Sequence, residues 1–296
     1  MKTNLRWAEL WLAIASLVLL VPRAQGAEGE PTQGMARAAD GLSIAYDVRG
    51  TGDTALVFIH GWCGDREFWR HQVGPLAEDH RVVRLDLGGH GQSGKDRKEW
   101  TVTGFAADVE AVIKTLDLKR VVLVGHSMGG PIALATAKRM PGIVVGVIGV
   151  DTLQNVDYKF PEEQRKEFLA GFEEDFHVTL AIGLSGMLPE KTRAKLRDGL
   201  VRKALNADRT MAISVMRDLG QLDEKTLLQE AKVPIRCINS GGGFMFYVPT
   251  AAATQRKYAD YRAVTIDDVG HFPMLEKPDE FNAKLGEVLK EFGTGK

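Results

Sequence analysis

Four consecutive apolar residues, Val121-Val122-Leu123-Val124, run straight into Gly125-His126-Ser127-Met128-Gly129-Gly130, and helical spacing starts almost at once, over residues 132–140. A β-branched run with no polar alternation suits a strand buried on both faces. With no loop between that strand and the helix, the chain must turn sharply, and the glycines around Ser127 let the backbone do so. A serine at the apex of such a turn stands clear of the sheet. The helix start beside it supplies free N–H groups and a dipole that favours negative charge. The G-x-S-x-G spacing therefore carries meaning through its strand-before, helix-after context.

The flanking pattern extends this unit in both directions. Residues 55–59 and 144–150 are further continuous apolar runs, ending at His60-Gly61 and at Asp151. Shorter strand-like runs cover 81–85, 235–238 and 263–266, while 42–48 alternates in period two as an exposed-edge strand or hairpin would. Helical spacing appears over 68–77, 106–116 and 281–292. Strands alternating with helices predict an α/β fold: a mostly parallel sheet of the eight-stranded type with helices on both faces. Residues 152–230 break the alternation. They hold no buried-strand run and several charged helical stretches, so they are expected to form a helical lid inserted into a core of residues 27–151 and 231–296.

The first residues need a separate reading. Lys2 and Arg6 precede an uncharged apolar run over 11–21, and Ala24-Gln25-Gly26-Ala27 follows with small residues. That order is the pattern of a Sec signal peptide over residues 1–26, cleaved after Gly26 or Ala27. The run is shorter than the roughly 20 residues a spanning helix needs, which counts against a retained anchor. Export to the periplasm or the medium is the expectation, without stable membrane insertion after cleavage. A net charge of −1 gives no reason to expect nucleic acid as a partner. Cys63 and Cys237 are too few for a disulfide framework; Cys237 lies in a strand run and reads as core. The chain lacks H-E-x-x-H and paired C-x-x-C spacings, and Gly241-Gly242-Gly243 does not match a nucleotide-binding loop. No metal and no cofactor is expected.

Four motifs in order, His60-Gly61-Trp62, Asp86-Leu87-Gly88-Gly89-His90-Gly91-Gln92-Ser93, Gly125-His126-Ser127-Met128-Gly129-Gly130 and Gly270-His271-Phe272-Pro273-Met274-Leu275-Glu276, make the chain resemble the α/β-hydrolase superfamily. Within it, the resemblance is to the small-lid esterase, haloperoxidase and dehalogenase-like branch. It implies Ser127 as nucleophile, His271 as its base, and the backbone N–H groups of Trp62 and Met128 as the oxyanion hole. It also puts His60, Gly61, Cys63 and His126 around the substrate pocket, with His60 shaping the oxyanion loop and His90 structural. Dehalogenases and epoxide hydrolases of this fold need a carboxylate where this chain has Ser127, so those activities are not expected.

The triad acid departs from the usual pattern. Most of the superfamily carries it after the strand that is here 235–238, but no carboxylate occurs between Glu230 and Asp260. Asp151, at the end of the preceding strand, is the candidate, and it preserves the chain order serine, acid, histidine. Asn239 is the alternative partner for His271, though it could not stabilise an imidazolium as a charge does. The resemblance thus implies acyl-enzyme hydrolysis of a carboxylic ester, a small-molecule acyl substrate. Alternatives on the same residues are a lactonase, an aminopeptidase, a carbon–carbon hydrolase, or a non-catalytic ligand-binding homologue. Apolar residues of 152–230, such as Phe168, Phe172, Phe176, Leu180, Ile182, Leu184, Met187 and Leu188, suggest a small or medium apolar acyl group.

Overall fold

The computed structural model describes residues 31–159, 161–245 and 247–294. The segment read as a signal peptide lies outside the described residues. In chain order the elements are β1 (Thr32–Arg37), β2 (Ser43–Arg49), β3 (Ala55–Ile59), a 3-10 turn (Arg66–Trp69), α1 (Arg70–Ala77), β4 (Arg81–Leu85), α2 (Val102–Thr115), β5 (Val121–His126), α3 (Gly129–Arg139) and β6 (Val144–Val150). Five helices follow, α4 (Glu162–Glu174), α5 (Phe176–Gly186), α6 (Ala194–Ala204), α7 (Arg209–Leu219) and α8 (Glu224–Glu230). The chain closes with β7 (Ile235–Ser240), α9 (Ala252–Gln255), β8 (Tyr261–Ile266), α10 (Pro273–Glu276) and α11 (Pro278–Lys290).

The strands form one eight-stranded sheet in the order β1-β2-β4-β3-β5-β6-β7-β8. Pairing is antiparallel at β1–β2 and β2–β4 and parallel from there on. The unbroken apolar runs are explained by burial on both faces. Val57, Leu123 and Val147 enter one core with Phe105 and Ile132 of α2 and α3. Their neighbours Leu56, Phe58, Val122, Val124 and Ile148 enter the other, with Trp69, Phe281 and Leu285. A strand that feeds two cores has no side left to be polar.

β1 is a strand that none of the runs read from the sequence marked. It pairs along β2 from Thr32 opposite Val48 to Arg37 opposite Ser43. Only Ala36 of its six residues is buried, so an edge strand held by backbone bonds shows no apolar alternation to read. β7 runs two residues past the apolar stretch, because Asn239 and Ser240 are buried as hydrogen-bonded polar groups. The α4–α8 helices contribute Phe172, Phe176 and Leu180 to one core and Met211 and Val215 to the other. They therefore pack on the same molecule-wide core as the sheet.

Candidate active site

Ser127 sits between the end of β5 and the start of α3 with φ of +52°. That left-handed conformation costs a non-glycine residue energy, and the surroundings hold it there. The Ser127 N–H donates to the Val150 carbonyl at 3.0 Å, and its own carbonyl accepts from the Gly130 N–H at 2.9 Å. A side chain at Gly125 would collide with the Gly129 carbonyl, and a Cβ at Gly129 would lie 2.6 Å from the Ile59 carbonyl oxygen. The two glycines of the motif are there because backbone packs on backbone at this turn.

Asp151 follows β6, also at positive φ, and its N–H donates to the Ile238 carbonyl at 3.0 Å. Its buried carboxylate accepts the His271 Nδ1–H at 2.6 Å through Oδ2. Oδ1 accepts the Ser240 N–H at 2.9 Å and the Ser240 hydroxyl at 2.6 Å. Burial works against its charge, but the His271 hydrogen bond and the Ser240 donors outweigh it and hold the carboxyl below its ordinary 3.8. Asn239 is elsewhere: its Oδ1 accepts from the Thr152 N–H and its Nδ2 donates to Thr250. With Nδ1–H committed to Asp151, the His271 ring keeps Nε2 as its proton acceptor.

The backbone around His271 is clamped from three sides. Glu276 Oε1 accepts the N–H groups of both flanking residues, Gly270 at 2.9 Å and Phe272 at 3.1 Å. The His271 N–H donates to the Met187 carbonyl, at the end of α5, and a Cβ at Gly270 would lie 2.5 Å from that same oxygen. The His271 carbonyl accepts from His126 Nε2 at 2.7 Å. A carbonyl cannot donate, so His126 is protonated on Nε2; burial pushes its pKa down to about 3 and keeps it neutral.

The loop carrying Trp62 is fixed by internal bonds. His60 donates from Nδ1 to the Gly61 carbonyl and accepts the Leu87 N–H on Nε2 at 3.0 Å. Asp86 accepts the N–H groups of Arg66 and Gln92 and pairs with the Arg66 guanidinium at 3.0 Å. The Trp62 indole N–H donates to the Ala212 carbonyl on α7, and its ring stands edge-on to Phe172 of α4.

These features find their counterpart in known sequences. A sequence profile described as the alpha/beta hydrolase family matches residues 56–284. The chain belongs to the α/β-hydrolase family. A relative of this hydrolase is the dihydrolipoyllysine-residue acetyltransferase component of the acetoin cleaving system of Cupriavidus necator, 30% identical over 84% of this chain and 67% of that protein. Its Pseudomonas putida counterpart is 26% identical and matched over 66% of its length, so the chain spans about two thirds of these relatives. Among solved structures, a bromoperoxidase from Bacillus anthracis superposes with a TM-score of 0.78 at 22% identity, covering 88% of this chain and 100% of that one. An esterase from Exiguobacterium antarcticum gives 0.78 at 21%, over 88% and 100%. At these identities the structures establish the fold.

In this α/β-hydrolase, Ser127, Met128, Asp151 and His271 line one cavity of about 430 Å³. Its other walls come from Pro131, from residues 152–156, from Tyr158 and Lys159, from Leu219 to Leu222, and from Glu224 and Val248. The four residues expected around the pocket are not on this wall. His60 and His126 are buried and held by the bonds above, Gly61 is buried in the same loop, and Cys63 faces a separate cavity of about 320 Å³ beside His90 and Lys203. Burial raises the Cys63 thiol's pKa, which disfavours its reactive thiolate form; Cys63 and Cys237 are both free. Nor do the apolar residues of 152–230 named above line the cavity. Phe172, Phe176, Leu180, Leu184 and Leu188 are buried in the core that these helices share with one face of the sheet, while Ile182 is exposed. The shared core takes these side chains; the inferred apolar acyl group loses its basis. Sequence reasoning missed Ser240 as the second support of Asp151 and gave Glu276 no role, since neither is marked by a spacing rule.

Proposed function

We propose that this hydrolase is an exported serine hydrolase that cleaves carboxylic esters through an acyl-enzyme. The observation that carries the reading is the 2.6 Å bond from His271 Nδ1 to Asp151, with both residues on the cavity that also holds Ser127. His271 Nε2 takes the Ser127 hydroxyl proton as Oγ attacks the ester carbonyl. The tetrahedral oxyanion is held by the N–H groups of Trp62 and Met128, the latter at the start of α3, where the helix dipole favours negative charge. His271 then passes its proton to the leaving alcohol, and the acyl group stays on Ser127. Water, deprotonated by His271, attacks that ester; the acid leaves and Ser127 regains its proton. Asp151 stabilises the imidazolium and fixes its tautomer throughout. In this reading residues 152–230 act as the lid that walls the site from solvent.

The test is hydrolysis of short and medium p-nitrophenyl esters by the purified protein beside Ser127→Ala. Turnover in the wild type that disappears in the variant is expected. Equal rates in both would remove Ser127 from the chemistry.

A further inference from the structure

The mechanism uses one side of the cavity and leaves a charged residue on its wall without a task. Glu224 is the first residue of α8. The capping of that helix is done by its neighbour Asp223, whose carboxylate accepts the Thr226 N–H at 3.1 Å and the Thr226 hydroxyl at 2.7 Å. Glu224 is left half-buried on the cavity wall. Its carboxylate makes no hydrogen bond and no ion pair with another described residue. The charge that acts on it is that of Lys159, on the same cavity wall but exposed to water. Burial pushes the Glu224 carboxyl upward from its ordinary value, and Lys159 opposes this.

Resting on the acyl-transfer reading above, we propose that the cavity binds an acyl substrate carrying an amine, and that Glu224 is the residue that recognises it. A half-buried carboxylate without a protein partner carries part of the cost of desolvation. A cationic ligand group removes that cost on binding, and a neutral analogue leaves it in place. Sites of this kind discriminate strongly, because the wrong substrate strands a polar group. The opposite assignment, a substrate carboxylate on Lys159, is disfavoured by position. Lys159 is water-exposed, where charge–charge attraction is screened and contributes little. A cavity of about 430 Å³ is of ordinary size for a small ligand, and Ser127 and Glu224 line it together.

The test compares two p-nitrophenyl esters of equal chain length, heptanoate and a hexanoate with a terminal amine, in the wild type and in Glu224→Gln. The wild type is expected to prefer the amine ester in kcat/KM, and the glutamine variant to lose about tenfold of that preference, the scale of one charge-assisted hydrogen bond. A second measurement needs no turnover: calorimetric binding of hexylamine and hexanol to Ser127→Ala, with and without Glu224→Gln. Tighter binding of hexylamine that depends on Glu224 supports the assignment even if neither ester is cleaved, in which case it is the ester-hydrolase reading that fails. Equal preference for the two esters in wild type and variant, with no hexylamine advantage, overturns the assignment while leaving ester hydrolysis standing. A preference for a succinate half-ester that disappears in Lys159→Ala also overturns it.

Discussion

Asp151 carries two loads, one on His271 and one on the end of β7. Its Oδ2 fixes the His271 ring and its Oδ1 takes both donors of Ser240. Replacement by asparagine keeps the shape but allows the amide to face His271 with its NH₂ group, which favours the wrong tautomer. A loss of about four orders of magnitude in kcat is expected for Asp151→Asn, with KM little changed. Near-normal kcat in that variant would remove Asp151 from the mechanism. The stability linkage has a definite sign. The folded carboxyl titrates below its ordinary 3.8, so its contribution is fully present above that pH and is lost as the pH falls through the lower folded value. The stability margin of the wild type over Asp151→Asn, from urea midpoints, should therefore narrow as the pH drops below 3.8. The neutral histidines matter by contrast. Burial holds His60 at about 4 and His126 at about 3, so both stay uncharged beside the site over the range in which such an enzyme works.

The turn after β8 shows how an element can position one ring. His271 lies in a short loop before α10, and Glu276 at the end of that helix reaches back to bind the N–H groups on both sides of it. Its other oxygen accepts the Thr192 hydroxyl at 3.1 Å, from the segment before α6. Glu276→Ala leaves two part-buried N–H groups without acceptors, a cost of about 1–3 kcal/mol each. Reduced thermal stability and a fall in kcat larger than any rise in KM are expected. Glu276→Gln, whose amide oxygen can still accept, should recover part of kcat. Unchanged kcat in the alanine variant would reduce Glu276 to a surface cap. Glu276 was visible in the sequence as the end of the fourth motif, but its bonds to Gly270 and Phe272 depend on the tight α10 turn. Spacing alone does not show which oxygen reaches which N–H.

At the scale of the whole molecule, the inserted helices are tied to the sheet at points that matter to the site. Trp62 bonds α7 and packs on Phe172, while the Met187 carbonyl at the end of α5 holds the His271 N–H. The same helices supply buried side chains to both cores. The wall of the cavity and the placement of His271 are thus built jointly by the insertion and the sheet. The chain's proposed destination is a question about the whole protein as well. If residues 1–26 direct export, N-terminal sequencing of the protein from the periplasm or the medium finds Ala27 or Glu28 first. Full-length protein confined to the cytosol would rule export out.

The α/β architecture was legible in the sequence because its signals are local and physical. Strands buried on both faces need continuous apolar runs, as residues 121–124 and 144–150 show, and a serine lifted between strand and helix needs small neighbours. Ser127 was legible through its strand-to-helix turn, while His271 and Asp151 came from the motifs of the resemblance and the chain order it implies. What only the tertiary structure decided depends on segments far apart in the chain. Asp151 meets Ser240 across 89 positions, and the cavity wall joins residues 152–156 and Lys159 to Glu224. The phenylalanines of the insertion turned out to fill a core shared with the sheet, because apolar composition shows that a side chain will be buried but not against which neighbour. Periodicity reads which face is buried; which faces meet is decided by packing the whole chain.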